Sequence, residues 1–203
     1  MQSISTNQKL NTQTIIKVAL LAAIGRILMF IEFPLPIFPS FLKIDISDIP
    51  AVVGTLSLGP AAGVIIELIK NILKLLTGTS SMGIGELANF IVGTAYILPL
   101  GIIYNKDKSV KGFIWGSFWG TLAMIVIASL FNYFILIPAY SKIIFNTPID
   151  TFVGMANKVN GFVTDFKTLI IFAVAPFNLI KGIVMSILGV LLYNVLKPVL
   201  HKI

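Results

Sequence analysis

Few side chains in this sequence can carry charge or form paired hydrogen bonds inside otherwise apolar stretches, and those few recur at helical spacing. Glu86 and Asn89 lie three apart in Gly85-Glu-Leu-Ala-Asn-Phe90, and Asn178 and Lys181 repeat that spacing in Pro176-Phe-Asn-Leu-Ile-Lys-Gly182. Residues so spaced share one helix face. Asn132 and Tyr133 stand together between Phe131 and Phe134. This set supplies amides, a carboxylate and an ammonium group, which suits recognition of a polar ligand edge. Two readings stay open. In the first, Glu86 and Lys181 form a structural ion pair and Asn89, Asn132 and Asn178 join helices by hydrogen bonds. In the second, the same groups converge on a pocket.

Other polar residues have plainer expectations. Glu67, Lys70, Asn71 and Lys74 form a patch on one helix, where lysines near a helix end snorkel to the interface and need no ligand. Asp48 is expected to cap the helix starting at Ile49, ahead of Pro50, and its spacing to Asp45 resembles a metal pair only superficially. Trp115 and Trp119 fit interfacial anchoring. Ala19 and Ala23, four apart with Ala22 and Gly25 beside them, form a small-residue patch that lets another helix approach closely. It is either internal packing or, if it faces outward, a docking surface for another membrane protein.

The chain has 203 residues, of which 57% are hydrophobic and 11% charged. Its mean hydropathy is +0.97. That composition excludes an ordinary soluble domain, for which about a quarter of residues are charged. There is no cysteine and one histidine, His201, so disulfides, thiolate metal sites, metal sites built on several imidazoles and catalytic thiols are excluded. No metal and no catalytic cofactor are expected. The net charge of +7 would suggest nucleic acid in a soluble chain, but here basic residues sort by membrane side and no nucleic-acid partner is expected.

The elements that must position these groups are read as an all-α polytopic membrane protein with six spans in one bundle. The spans are Thr14–Phe33, Asp48–Leu58, Pro60–Leu76, Gly83–Tyr104, Gly112–Pro138 and Thr168–Leu196, after a loosely ordered tail over residues 1–13. Gly59-Pro60 is a helix stop followed by a start, so the second and third helices meet in a tight turn. Six spans gather Lys9, Lys17, Lys106, Lys108, Lys111, Lys197 and Lys202 on one side against Lys43, Lys142, Lys158 and Lys167 on the other. The positive-inside rule then puts both termini in the cytoplasm. The outer loops are 34–47, 77–82 and 139–167, the first too rich in proline for a helix. On this topology the polar residues of the fourth, fifth and sixth helices all lie toward the outer side, under the first loop.

Four stretches carry a resemblance: Phe41-Leu-Lys-Ile-Asp-Ile-Ser-Asp-Ile-Pro-Ala51, Gly85-Glu-Leu-Ala-Asn-Phe90, Asn132-Tyr-Phe134 and Pro176-Phe-Asn-Leu-Ile-Lys-Gly182. Together they resemble the riboflavin-specific substrate-binding component of energy-coupling factor (ECF) vitamin transporters, from about Ile15 to Leu196. The resemblance implies a six-helix protein of the bacterial cell membrane that captures riboflavin on the extracellular side. It implies ligand contacts from Leu42, Lys43 and Asp45 in the first loop and from Asn132, Tyr133, Asn178 and Lys181, with Glu86 and Asn89 touching the ligand or supporting Lys181. It also implies a transmembrane coupling protein and two ATP-binding subunits as partners, with Ala19, Ala22 and Ala23 as the docking motif. In keeping with that division of labour, the sequence contains no Gly-x-x-x-x-Gly-Lys-Ser/Thr phosphate loop. A related flavin such as flavin mononucleotide, or another vitamin, is the alternative ligand. An intramembrane enzyme would have only Ser129 or Ser186 with Lys181 to work with, and a stand-alone secondary transporter would be expected to show repeated halves, which this sequence lacks.

Overall fold

The computed structural model describes residues 11–200, with side chains described through Val195. Residues 1–10 of the expected tail, and His201 and Lys202, lie outside the described residues. The helices fall where apolar runs are bounded by Gly, Pro and charge. Helix α1 (Thr12–Leu28) starts at Asn11, whose side chain accepts from the Gln13 backbone N–H, so Thr12 and Gln13 are helical rather than part of a loose tail. Helices α2 (Ile49–Leu58) and α3 (Pro60–Thr77) meet at Gly59, whose φ of +97° favours glycine. Helix α4 spans Ile84–Lys106. Helix α5 is one continuous rod over Val110–Ile144, α6 is a short helix over Ile149–Asn157, and α7 runs over 166–200.

Three rods, Ile84–Lys106, Val110–Ile144 and Phe166–Val195, are long and apolar enough to cross a membrane by length and composition. The 10 residues of α2 cover only about 15 Å at the usual rise, so this helix is buried inside the bundle, with Ala51 and Val52 fully enclosed. Large apolar side chains on α5, including Ile114, Phe118, Leu122 and Val126, are exposed, as expected of a helix facing hydrocarbon.

Three expectations about element boundaries are corrected. The first helix ends at Leu28, five residues before Phe33, because Glu32–Pro34 forms a strand, β1, that pairs antiparallel with β2 (Lys43–Asp45) in the register Glu32↔Asp45, Phe33↔Ile44, Pro34↔Lys43. The fifth helix does not stop at Pro138. A π-helical turn over Asn132–Leu136 precedes Ile137–Ala139, and a second π turn over Tyr140–Ile144 follows. π turns already shift the hydrogen-bond ladder, so a proline there removes little. The loop expected over 139–167 therefore holds the end of α5 and all of α6.

Two packed cores result. One joins α1 to α5 and α7 around Ile66, Tyr96, Leu100 and Met124. The other lies under the hairpin, where Phe38, Leu42, Ile44 and Phe152 pack on Ile170, Val174 and Phe177. In the first, α5 lies so close to α4 that a Cβ on Gly120 would sit 2.5 Å from the Tyr96 carbonyl oxygen, and one on Gly116 would sit 2.9 Å from that of Leu100. Gly112, Gly116 and Gly120 repeat every four residues, the small-residue pattern that brings helix backbones together where no hydrophobic drive exists.

Candidate ligand site

A cavity of about 420 Å³ opens at the hairpin end of the bundle. The hairpin and the loop between its strands contribute Glu32, Lys43, Asp45 and Phe41; α3 and α4 contribute Lys74 and Asn89; the far end of α5 contributes Tyr140 and Ile144, with Phe145 just beyond it. The lining thus combines aromatic with charged side chains. A second cavity of about 340 Å³ shares Met29, Glu32, Lys74 and Ser80 with the first and adds Arg26. The Arg26 guanidinium lies 4.2 Å above the Phe30 ring and donates to Thr77 Oγ1 at 2.9 Å.

Beneath the first cavity lies a buried ionic cluster. Lys181 Nζ stands 2.8 Å from Asp48 Oδ2 and 3.6 Å from Asp45 Oδ2. The other Asp48 oxygen accepts from Lys70 Nζ. Lys70 also lies 2.9 Å from Glu67 and donates to Ser47 Oγ at 3.1 Å. The Lys70, Asp48 and Glu67 side chains are wholly enclosed. Buried charges are costly unless paired, and the cluster pairs each of its charges by drawing on the β2–α2 junction, α3 and α7 at once.

The structure distributes the sequence-predicted residues unequally. Lys43, Asp45 and Asn89 line the cavity. Lys181 stands behind Asp45. Leu42 is buried in the core under the hairpin. Asn132 donates to the Ala128 carbonyl and Asn178 to that of Val174, both at 2.8 Å. These two amides serve their own helices rather than joining neighbours. Tyr133 stacks on Phe166 at 4.7 Å and 11°.

Several expectations are corrected here. Glu86 does not pair with Lys181; it accepts from Ser81 Oγ at 2.7 Å and Thr79 Oγ1 at 3.0 Å, with Lys74 Nζ at 4.0 Å. Asp48 makes no capping hydrogen bond with its side chain, because both its oxygens face ammonium groups. Lys70 does not snorkel, having found counter-charges inside. Ala22 is fully buried, whereas Ala19 and Ala23 are exposed, so only the latter two can meet a partner. Tyr140, Phe145 and Phe41 are not among the site residues expected from sequence; the aromatic spacing at the end of α5 is the signal that could have found the first two, and Phe41 adjoins the expected pair Leu42-Lys43.

The chain matches the family model "ECF transporter, substrate-specific component" over residues 13–193. It belongs to this family. The riboflavin transporter RibU of Staphylococcus aureus (strain TCH60) is 39% identical over 97% of this chain and 98% of that protein. The riboflavin transporter FmnP of Bacillus subtilis (strain 168) is 35% identical over 93% and 94%. A solved structure, described as the structure and mechanism of the S component of a bacterial ECF transporter, superposes with a TM-score of 0.72 at 35% identity, covering 93% of this chain and 97% of that one. An ECF substrate-specific component is a part of a transporter rather than an enzyme, and the membrane bundle described above suits it.

Proposed function

We propose that the chain captures riboflavin in the hairpin-end cavity and passes it on as the substrate-binding component of an ECF uptake transporter. The observation that carries this reading is the cavity itself, which is lined by Phe41, Tyr140 and Phe145 together with Lys43, Asp45 and Asn89. Its volume lies within the roughly 300–1,000 Å³ usual for small-ligand sites. A flat tricyclic ring fits aromatic walls, its amide-like edge takes amide partners, and a ribityl chain takes carboxylate and ammonium partners. The names of the relatives point to the same ligand. In this reading Lys43, Asp45 and Asn89 are the ligand contacts among the residues expected from sequence, whereas Asn132, Tyr133, Asn178, Leu42 and Glu86 do not line the cavity and Lys181 supports Asp45. Purified full-length protein without ATPase subunits should bind riboflavin one to one and quench its fluorescence; absence of saturable binding would remove the assignment.

Arg26 and Lys74 at the adjoining cavity favour a second reading, in which a phosphorylated flavin also binds with its phosphate toward the guanidinium. Arg26→Ala should then weaken competition by flavin mononucleotide and leave riboflavin unaffected.

We place the protein in the bacterial cell membrane as a multi-pass chain, with the cavity extracellular and both termini cytoplasmic. Lys106 ends α4, Lys108 follows it and Lys111 lies in the first turn of α5, all at the end away from the hairpin, as the positive-inside rule requires. Delivery requires a transmembrane coupling protein and two ATP-binding subunits, and the exposed Ala19 and Ala23 are the proposed contact with the coupling protein. Ala23→Leu should leave riboflavin binding by the isolated protein unchanged and abolish uptake by the assembled transporter. Lost binding in the isolated variant would mean that this face packs internally.

A further inference from the structure

The Asp45 carboxylate is the cavity-lining group most closely tied to the buried cluster. Its Oδ1 accepts the Ser47 backbone N–H at 2.8 Å, and its Oδ2 faces Lys181 at 3.6 Å. Both connections lead to Lys70. Ser47 passes the first on, because its hydroxyl accepts from Lys70 at 3.1 Å. Lys181 passes on the second through Asp48, which holds Lys181 and Lys70 on its two oxygens. The five residues thus form a closed ring with one member exposed to the cavity. Buried ion pairs are a poor route to stability, since apolar replacements of similar volume are often neutral or better. A ring that closes on a cavity-lining carboxylate has a more specific use.

We propose that Asp48 and Lys70, neither of which lines the cavity, are positioning residues for ligand capture: through Lys181 and Ser47 they fix the Asp45 carboxylate in the orientation that receives a hydroxyl-rich ligand. This rests on the reading that the hairpin-end cavity is the ligand site. Preset groups bind more tightly than groups that must be ordered on contact, because the ordering cost has already been met in folding. The α1 helix participates as well. A Cβ on Gly25 would sit 3.1 Å from the Ser47 carbonyl oxygen and 3.3 Å from Lys70 Cδ. Glycine at this position lets the ring close against α1.

The test uses full-length protein in detergent with riboflavin as the probe, reading affinity by fluorescence quenching, the visible spectrum of the bound flavin, and thermal unfolding of the ligand-free protein. Lys70→Met should weaken riboflavin binding about tenfold or more, and Asp45→Asn comparably. The Lys70→Met/Asp45→Asn double variant should bind little worse than Asp45→Asn alone, because the ring acts through Asp45. Gly25→Ala keeps every charge and favours the helix intrinsically, yet should also weaken binding several-fold with a shifted flavin spectrum. If Lys70→Met does not fold, Gly25→Ala alone decides between the two outcomes. Wild-type affinity in folded Gly25→Ala and Lys70→Met, or penalties from Lys70→Met and Asp45→Asn that multiply, would overturn the positioning role. Wild-type affinity in Asp45→Asn would instead overturn the ligand site on which the role rests.

Discussion

Asp48→Ala should yield almost no folded protein. The wild-type carboxylate stands between two enclosed ammonium groups, at 2.8 Å from Lys181 and in contact with Lys70. Without it, Lys181 keeps only the longer contact to Asp45, and Lys70 keeps Glu67 and a neutral hydroxyl. Breaking a buried pair by deleting one partner costs about 3–5 kcal/mol because the remaining charge is left uncompensated. Whole domains are stable by only about 5–15 kcal/mol. The measurement is the yield of monodisperse protein after detergent extraction, with the thermal unfolding midpoint of whatever remains. A Glu67→Gln/Lys70→Met/Asp48→Leu/Lys181→Met quadruple variant, which removes the two cations together with the enclosed carboxylates they pair with, should recover much of the fold. Normal yield and midpoint for Asp48→Ala would show that the cluster is far wetter than its enclosure implies.

The second large effect is expected from Gly120→Leu. The nearest obstacle to a side chain at that position is the Tyr96 carbonyl oxygen, 2.5 Å from where the Cβ would lie. Backbone of a packed helix cannot rotate aside as a long side chain would, so α4 and α5 must separate, and the contact at Gly116 one turn away is lost with it. Overpacking a tight core costs about 1–3 kcal/mol and occasionally more, and this site belongs at the upper end. Gly154→Ala is the internal control: it lies on α6 with nothing within 4 Å of the added carbon and should be neutral or slightly stabilising. Equal unfolding midpoints for the two variants would mean that the helices are not so closely apposed in the membrane.

Much of the fold is legible because lipid makes the sequence signal strong: an apolar run bounded by glycine, proline or charge has few alternatives to a helix. The Gly59-Pro60 junction is read correctly for that reason. The hairpin escapes because strands of three residues have no room for a recognisable alternation, and Glu32-Phe33 reads as the tail of α1. The site is legible only in part. Asn89, Lys43 and Asp45 reach the cavity, but Asn132 and Asn178, conspicuous in sequence, bond to the preceding turn of their own helices. Lys70 misleads because its counter-charge Asp48 is remote in sequence, and a rule about lysines near helix ends cannot register a counter-charge delivered from the start of another helix. The alanine patch is half-legible: with 3.6 residues per turn, Ala22 and Gly25 follow Val18 and Leu21 onto the inner face, while Ala19 and Ala23 follow Ile16 and Leu20 onto the outer one.

The hairpin has only three paired positions, and its one exposed cross-strand ion pair joins Lys43 to Glu32 at 2.7 Å. Two strands that short are marginal without support, and the support comes from the side chains beneath them. Glu32 and Lys43 also line the cavity, so the hairpin can part at small cost with the bundle intact. Moderate salt, which weakens the exposed ion pair, should hasten exchange of a ligand held there while leaving the melting of the bundle almost where it was.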